Sequence, residues 1–153
     1  MKIVETAKEV YVDPSALLKL YLREPESRAM AQWRARHPPA LMVTHHGHVE
    51  LINSIGLAWH RKFVSKTTHD AALGALDDDF AQGRYRQADL LWRAALRRAE
   101  MLSRTHTPEL GCRTLDVLHV ASAVELDFKW FMSFDRRQRL LATAAGLKLA
   151  SPN

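Results

Sequence analysis

Short β-prone runs separated by helix-length stretches constrain the fold of this chain more than any other feature of its sequence. Val10-Tyr-Val12 ends at Asp13-Pro-Ser15, a turn or helix-start signal because proline fits the first helical position. Leu41-Met-Val43 follows the break His37-Pro-Pro39 and reads as a second, buried strand. Trp130 to Phe134 reads as another, Gly83 to Asp89 carries the weakest signal and is read as a short strand, and Leu147-Lys-Leu149 adds an edge strand. Strands alternating with helices over this length predict an α/β sandwich with a short, mostly parallel central sheet flanked by helices. No repeat or low-complexity linker divides residues 1–153, which read as a single domain.

The intervals between the strands are helical in pattern. A short helix covers Ala16 to Leu22 and stops before Pro25, and a second lies within Arg23 to Arg36. His48 to Phe63 predicts a long helix with Val49, Ile52, Leu57 and Trp59 mostly on one apolar side. Ser65 to Phe80 follows, capped by Ser65 or Thr67, with Asp77-Asp-Asp79 opposing the dipole so that this end is expected to fray. Leu90 to Thr105 is helical, with Leu91, Ala95 and Leu102 expected to be buried, and Thr107 to Gly111 reads as a loop. Leu115 to Leu126 and Arg136 to Ala145 complete the set, the last closed by Gly146.

Four carboxylates fall at the ends of these elements. Asp13 closes the first strand, Glu50 and Asp116 lie early in helices, and Asp135 follows the strand at 130–134. In parallel α/β sheets, functional groups collect at the carboxyl ends of strands. Like charges brought together there need a compensating cation. Magnesium or manganese, hard ions that prefer oxygen ligands, would neutralise such a group and acidify a bound water for phosphoryl chemistry. Each acid also has an ordinary account. Asp13, Asp116 and Asp135 could cap helices, and Glu50 could be an exposed helix acid.

Composition bounds the alternatives. Hydrophobic residues make up 47% and charged residues 25% of the 153, as expected of a soluble globular domain. No run approaches the ~18 apolar residues of a membrane span. The amino end is interrupted by charges where a secretion signal needs an apolar core, so a cytoplasmic location is expected. The single cysteine, Cys112, excludes an intramolecular disulfide and a thiolate-rich zinc site. A net charge of +5, carried mostly by arginine, biases the chain toward a polyanion.

Arg97-Arg98, Arg104, Arg113 and Arg136-Arg137 could contact phosphates, although pairing with acids on solvated helix faces accounts for the first three nearly as well. Arg113, Arg136 and Arg137 are the selected RNA-contact candidates. The histidines of Thr44-His-His-Gly-His48 could bind a transition metal or RNA, but a solvated loop with incidental His45, His46 and His48 is the expectation. His119, one turn after Asp116, is expected to pack rather than ligate, and the four tryptophans are expected to fill the core.

The blocks around the acids resemble the PIN-domain family, and particularly its VapC-type toxin ribonucleases. The likeness runs through Tyr11-Val-Asp-Pro-Ser-Ala-Leu-Leu-Lys-Leu-Tyr-Leu-Arg-Glu-Pro-Glu-Ser27, Val49-Glu-Leu-Ile-Asn53, Arg113-Thr-Leu-Asp-Val-Leu-His-Val-Ala-Ser-Ala-Val-Glu-Leu126, Phe131-Met-Ser-Phe-Asp-Arg-Arg137 and Ala144-Ala-Gly-Leu147. These blocks span nearly the whole chain in the family's order. The resemblance implies a Rossmann-like sheet with Asp13, Glu50, Asp116 and Asp135 around Mg2+ or Mn2+. It further implies cleavage of single-stranded RNA by metal-activated water. Asp13 and Asp116 would be the principal ligands, while Glu50 and Asp135 would ligate directly or through water, one of them helping to accept a proton. Ser15 and Ser133 would tune the acids or cap helices. Pro14 departs from the pattern, standing where the family often has Ser or Thr.

The implied activity is that of a metal-dependent endoribonuclease, the toxin of a type II toxin–antitoxin pair. Its implied partners are an RNA substrate, a cognate antitoxin and a second copy in a homodimer. The alternative is a catalytically silent PIN-fold module that binds RNA or protein. Other aspartate-dependent phosphohydrolases fit poorly, since residue 15 is Ser where an Asp-x-Asp start is needed and no Walker-type loop occurs.

Overall fold

The computed structural model describes residues 10–153, so the expectation about secretion signals at the amino end lies outside the described residues. The first strand, β1 (Val10–Val12), leads into the short helix α1 (Pro14–Leu18) and then α2 (Ser27–Arg36). Next come β2 (Leu41–Val43), α3 (His45–His60), α4 (Lys66–Ala81) and β3 (Tyr85–Gln87). The remainder is α5 (Trp92–Leu110), α6 (Thr114–Glu125), β4 (Trp130–Met132), α7 (Arg136–Ala144) and β5 (Lys148–Leu149).

Every strand pairing is parallel. The ladders join β1 to β4, β4 to β5, and β2 to β3. β1 also approaches β2, so the strands lie in the spatial order β3-β2-β1-β4-β5. That order reverses direction at β1, the switch point at which doubly wound sheets place their functional groups.

Pleating divides the core into two. Val10 and Val12 face α1 to α4, joining Leu17, Met30, Trp33, Leu51, Ile55 and Leu76 in one buried cluster. Tyr11 points the opposite way, as the period-2 alternation of a strand requires, and packs with Phe131, Val120 and Leu141. Its ring stacks on Phe131 with centroids 5.5 Å apart and meets Phe128 edge-on at 5.6 Å.

The structure corrects several expectations. α3 begins at His45, because the Thr44 hydroxyl accepts the Gly47 N–H at 3.0 Å and caps the helix. Its buried stripe is Gly47, Leu51 and Ile55, whereas Val49 is 65% exposed and Ile52, Leu57 and Trp59 also face outward. This helix carries apolar residues on two faces, and periodicity alone does not choose between them. Leu91 is 75% exposed, although Ala95 and Leu102 are buried as expected. Among the tryptophans only Trp33 is fully buried; Trp59 and Trp92 reach solvent and Trp130 is half-buried.

Two helix ends also differ. α4 runs through its acidic stretch to Ala81 because Arg84 bonds Asp78 and Asp79 and the Tyr21 hydroxyl donates to Asp79. α5 continues through Pro108 to Leu110, replacing the loop expected at Thr107 to Gly111. Its stop is Gly111, at φ 65°, whose N–H bonds the Thr107 carbonyl at 2.8 Å. Among the described residues, no helix is long and apolar enough to cross a membrane.

Candidate active site

Asp13 follows the last residue of β1, and its N–H donates to the Met132 carbonyl of β4 at 3.0 Å. The carboxylate therefore emerges at the seam between the two central strands. It is 2% exposed, and each oxygen is held. Oδ2 accepts the Ser15 N–H at 3.0 Å and the Ser15 hydroxyl, which caps α1; Oδ1 accepts the Gln138 amide at 2.9 Å. Pro14 occupies the first helical position, where its missing N–H costs nothing. Gly47 of α3 packs here too. A Cβ on it would meet Thr44 Oγ1 at 3.0 Å and Pro14 Cγ at 3.3 Å, so only glycine allows α3 this close to the Asp13 turn.

Asp135 caps α7, accepting the Gln138 N–H at 2.8 Å, while its own N–H donates to the Ser133 hydroxyl at 3.1 Å. Asp116 lies in the first turn of α6, where the dipole favours an anion. It accepts a bond from Arg113 Nε at 3.1 Å. Burial raises its pKa, and the charges of Asp13 and Asp135 raise it further against the lowering effect of Arg113. The three aspartates thus share one electrostatic neighbourhood. Asp116 and Asp135 line an open cleft of about 240 Å³ together with Gly111, Cys112, Arg113 and Arg137. A larger groove of about 470 Å³ beside Tyr21, Arg34 and Tyr85 has Asp79 as its one carboxylate, already held by Arg84 and Tyr21.

Glu50 stands apart from this cleft. Its Oε2 lies 2.5 Å from Nε2 of His119, whose Nδ1 is 2.7 Å from the Tyr11 hydroxyl. His119 is fully buried. Burial pushes its pKa down, but the Glu50 hydrogen bond and the charges of Asp13, Glu50 and Asp116 outweigh that, and the net direction is up. His119 thus bonds Glu50 directly and feels the charges of Asp13 and Asp116. His46 stacks on His119 at 4.6 Å and meets Trp92 at a tilt of 57° with centroids 4.9 Å apart, and His48 stacks on Phe80 at 4.1 Å. These two histidines are packed side chains in the first turn of α3, not members of a solvated loop. Burial brings the His46 pKa down to about 4, helped by the neighbouring His119.

Among the described residues, no three His, Cys, Asp or Glu side chains converge as a complete metal cage. The donor set at the seam still suits a hard cation. The cleft is lined by the carboxylates of Asp116 and Asp135, with no imidazole and with the Cys112 thiol kept protonated by burial and the nearby acids, and Mg2+ typically takes one or two carboxylates and keeps several waters. Of the candidate RNA contacts, Arg113 and Arg137 line the cleft, and Arg137 Nη1 donates to the Gly111 carbonyl at 3.3 Å. Arg136 is exposed at the start of α7. Arg98 pairs with Glu125, the acid partnership that its sequence allowed.

Gln138 and the Tyr11–His119–Glu50 chain went unread in the sequence. Gln138 had a signal: it stands three residues after Asp135, the spacing of a capping box. The contact between His119 and Glu50 joins helices 69 residues apart and had no local signature.

No curated protein matches the chain. The family model described as PIN domain matches residues 10–144, a span that includes all five strands but β5 and every acid discussed above. With the model covering most of its length and the parallel sheet placing acids at its switch point, the chain belongs to the PIN domain family, whose fold is of nuclease type.

Proposed function

We propose that this protein is a metal-dependent endoribonuclease that cleaves single-stranded regions of RNA, and that it serves as the VapC-type toxin of a type II toxin–antitoxin pair. The observation that supports this reading is that Gln138 bonds Asp13, Asp135 and the Asp116 backbone, beside a cleft edged by Arg113 and Arg137. PIN nucleases generally use divalent metals, and Asp13, Asp116 and Asp135 would hold Mg2+ or Mn2+ here. Such an ion supplies charge neutralisation and an acidified water for in-line attack on a phosphodiester.

The chain's own residues have separable tasks. Asp13, with both oxygens held from the protein side, keeps one lone-pair direction free on Oδ1. Asp116, now bonded to Arg113, would help to hold the cation, and the Arg113 guanidinium at the cleft edge offers a planar fork suited to a phosphate oxygen. Arg137 and the exposed Arg136 extend that anion-binding rim. Glu50, backed by His119, stands ready to accept a proton near the aspartates rather than to ligate. A cognate antitoxin would act by covering this cleft, and homodimerisation follows from the VapC-type reading.

The test is cleavage of defined structured RNAs, tRNAs included, with and without chelator. Cleavage that disappears on chelation and in Asp13→Asn and Asp116→Asn supports the proposal; undiminished activity in those variants refutes it. A catalytically silent RNA- or protein-binding module is the second reading, favoured by the lack of three converging ligands among the described residues. RNA retention without cleavage in saturating Mn2+ would select it.

A further inference from the structure

We propose that Gln138 is the positioning residue that holds the acid group together and sets its affinity for a divalent cation. The inference rests on the metal-dependent reading above. Gln138 is 1% exposed, in the first turn of α7. In an ordinary capping box this side chain would reach back to the N–H of the capping residue. Here the Ser133 hydroxyl takes the Asp135 N–H instead, at 3.1 Å, and the carboxamide is released to turn inward.

Its bonds then reach all three acid-bearing elements. Nε2 donates to Asp13 Oδ1 at 2.9 Å and to the Asp116 carbonyl at 3.3 Å. Oε1 accepts the Ser133 hydroxyl at 2.6 Å, and the backbone N–H donates to Asp135 Oδ1 at 2.8 Å. The amide orientation follows from chemistry: a carboxylate and a carbonyl only accept, so the nitrogen must face them. One buried side chain thereby couples β1, α6 and α7.

Neutrality is the essential property of this residue. A lysine or arginine at the same point would tie the elements together equally well, but would also neutralise the carboxylates and compete with a cation. The carboxamide fixes Asp13 without cancelling its charge. It also leaves one lone-pair direction on Asp13 Oδ1 for a ligand.

The test compares wild type, Gln138→Met and Leu141→Ala for Mn2+ uptake, followed by the loss of the free-ion spin-resonance signal, alongside thermal melts and RNA cleavage over a Mn2+ titration. Met keeps the length and burial of Gln and removes every side-chain hydrogen bond. Leu141, fully buried on the same helix, controls for simple loosening of the core. The expected result is a Mn2+ affinity reduced about tenfold or more in Gln138→Met, the usual effect of removing a group that orients a metal ligand. Its cleavage should require correspondingly more Mn2+ and approach the wild-type rate at saturation. Leu141→Ala should melt lower yet keep wild-type Mn2+ affinity. Unchanged Mn2+ affinity in Gln138→Met, or an equal drop in Leu141→Ala, overturns the inference while leaving the proposed activity intact. Wild-type protein that neither takes up Mn2+ nor cleaves RNA overturns both.

Discussion

Replacing His119 by leucine tests the Tyr11–His119–Glu50 chain, because the substitution nearly conserves volume while deleting both ring nitrogens. Two partners lose their bonds. The Tyr11 hydroxyl is buried, and leaving such a group unsatisfied costs about 1–3 kcal/mol. Thr44 and Ser122 lie near enough to share that hydroxyl, which places the expected loss in the lower half of the range, about 1.5 kcal/mol. Glu50 is 26% exposed and can recover water, so its lost bond contributes about 1 kcal/mol. The single variant should therefore lose about 2.5 kcal/mol.

Tyr11→Phe alone strands Nδ1 of His119 and should cost about 1 kcal/mol. In the double variant neither stranded group remains and only the lost Glu50 bond is left, so the total should fall to about 1 kcal/mol instead of the additive value of about 3.5. The assay is urea unfolding of the four proteins at fixed pH, with the slope checked for constancy. Coupling below about 0.3 kcal/mol, the scatter of independent sites, would refute the idea that His119 links strand to helix through these bonds.

Other expectations follow from the same geometry. Asp116→Asn should raise the melting temperature of the metal-free protein at neutral pH by about 2–4 °C, roughly 1 kcal/mol, while abolishing RNA cleavage. Its raised pKa means that ionisation costs stability, so the advantage should shrink as pH falls through that raised value. His46, brought down to about 4, should contribute stability that is fully present above about pH 6.5 and lost as pH falls toward 4. At pH 5 the full linkage is about 2 kcal/mol, or about 1 after discounting for partial exposure, and His46→Gln should lose that much less than wild type between pH 7 and 5. Gly111→Ala should cost about 1–2 kcal/mol in urea, since φ is 65° while the added Cβ would meet Arg137 only at 3.8 Å. Leu91→Ser should stabilise the protein in urea by about 0.5–1 kcal/mol, because Leu91 is 75% exposed and stands at the N-cap of α5 without a side-chain capping bond.

What the sequence made legible was mostly local. The Asp13-Pro-Ser turn, the Leu41–Val43 strand, the α7 start at Asp135 and the final β5 edge each carry their cue within a few residues, and each stands where expected. The capping and functional readings of Asp13 and Asp135 proved compatible, because a carboxylate can cap with some lone pairs and still present others. Burial was the weaker inference wherever both faces of a helix are apolar. On α3, Val49 and Leu51 are equally hydrophobic, and only the approach of α1 at Gly47 decides which turns inward. Pro108 misled for a related reason: removal of one N–H in a helix's last turns is tolerated when Gly111 supplies the stop. The partners of Glu50 and Gln138 depend on contacts between distant segments, which no single-chain pattern encodes.

The pairing of β1 with β4 has a consequence for synthesis. Val10 is matched to Trp130, and Asp13 meets Gln138 across 125 positions of chain. A growing polypeptide therefore cannot assemble the aspartate group until α7 has emerged from the ribosome. Everything made before that point holds one half of the seam without the other. Closure of so long a loop also makes this a slow step among the folding events. The order of strands thus delays the appearance of the acid group until the segment through Gln138 has been made.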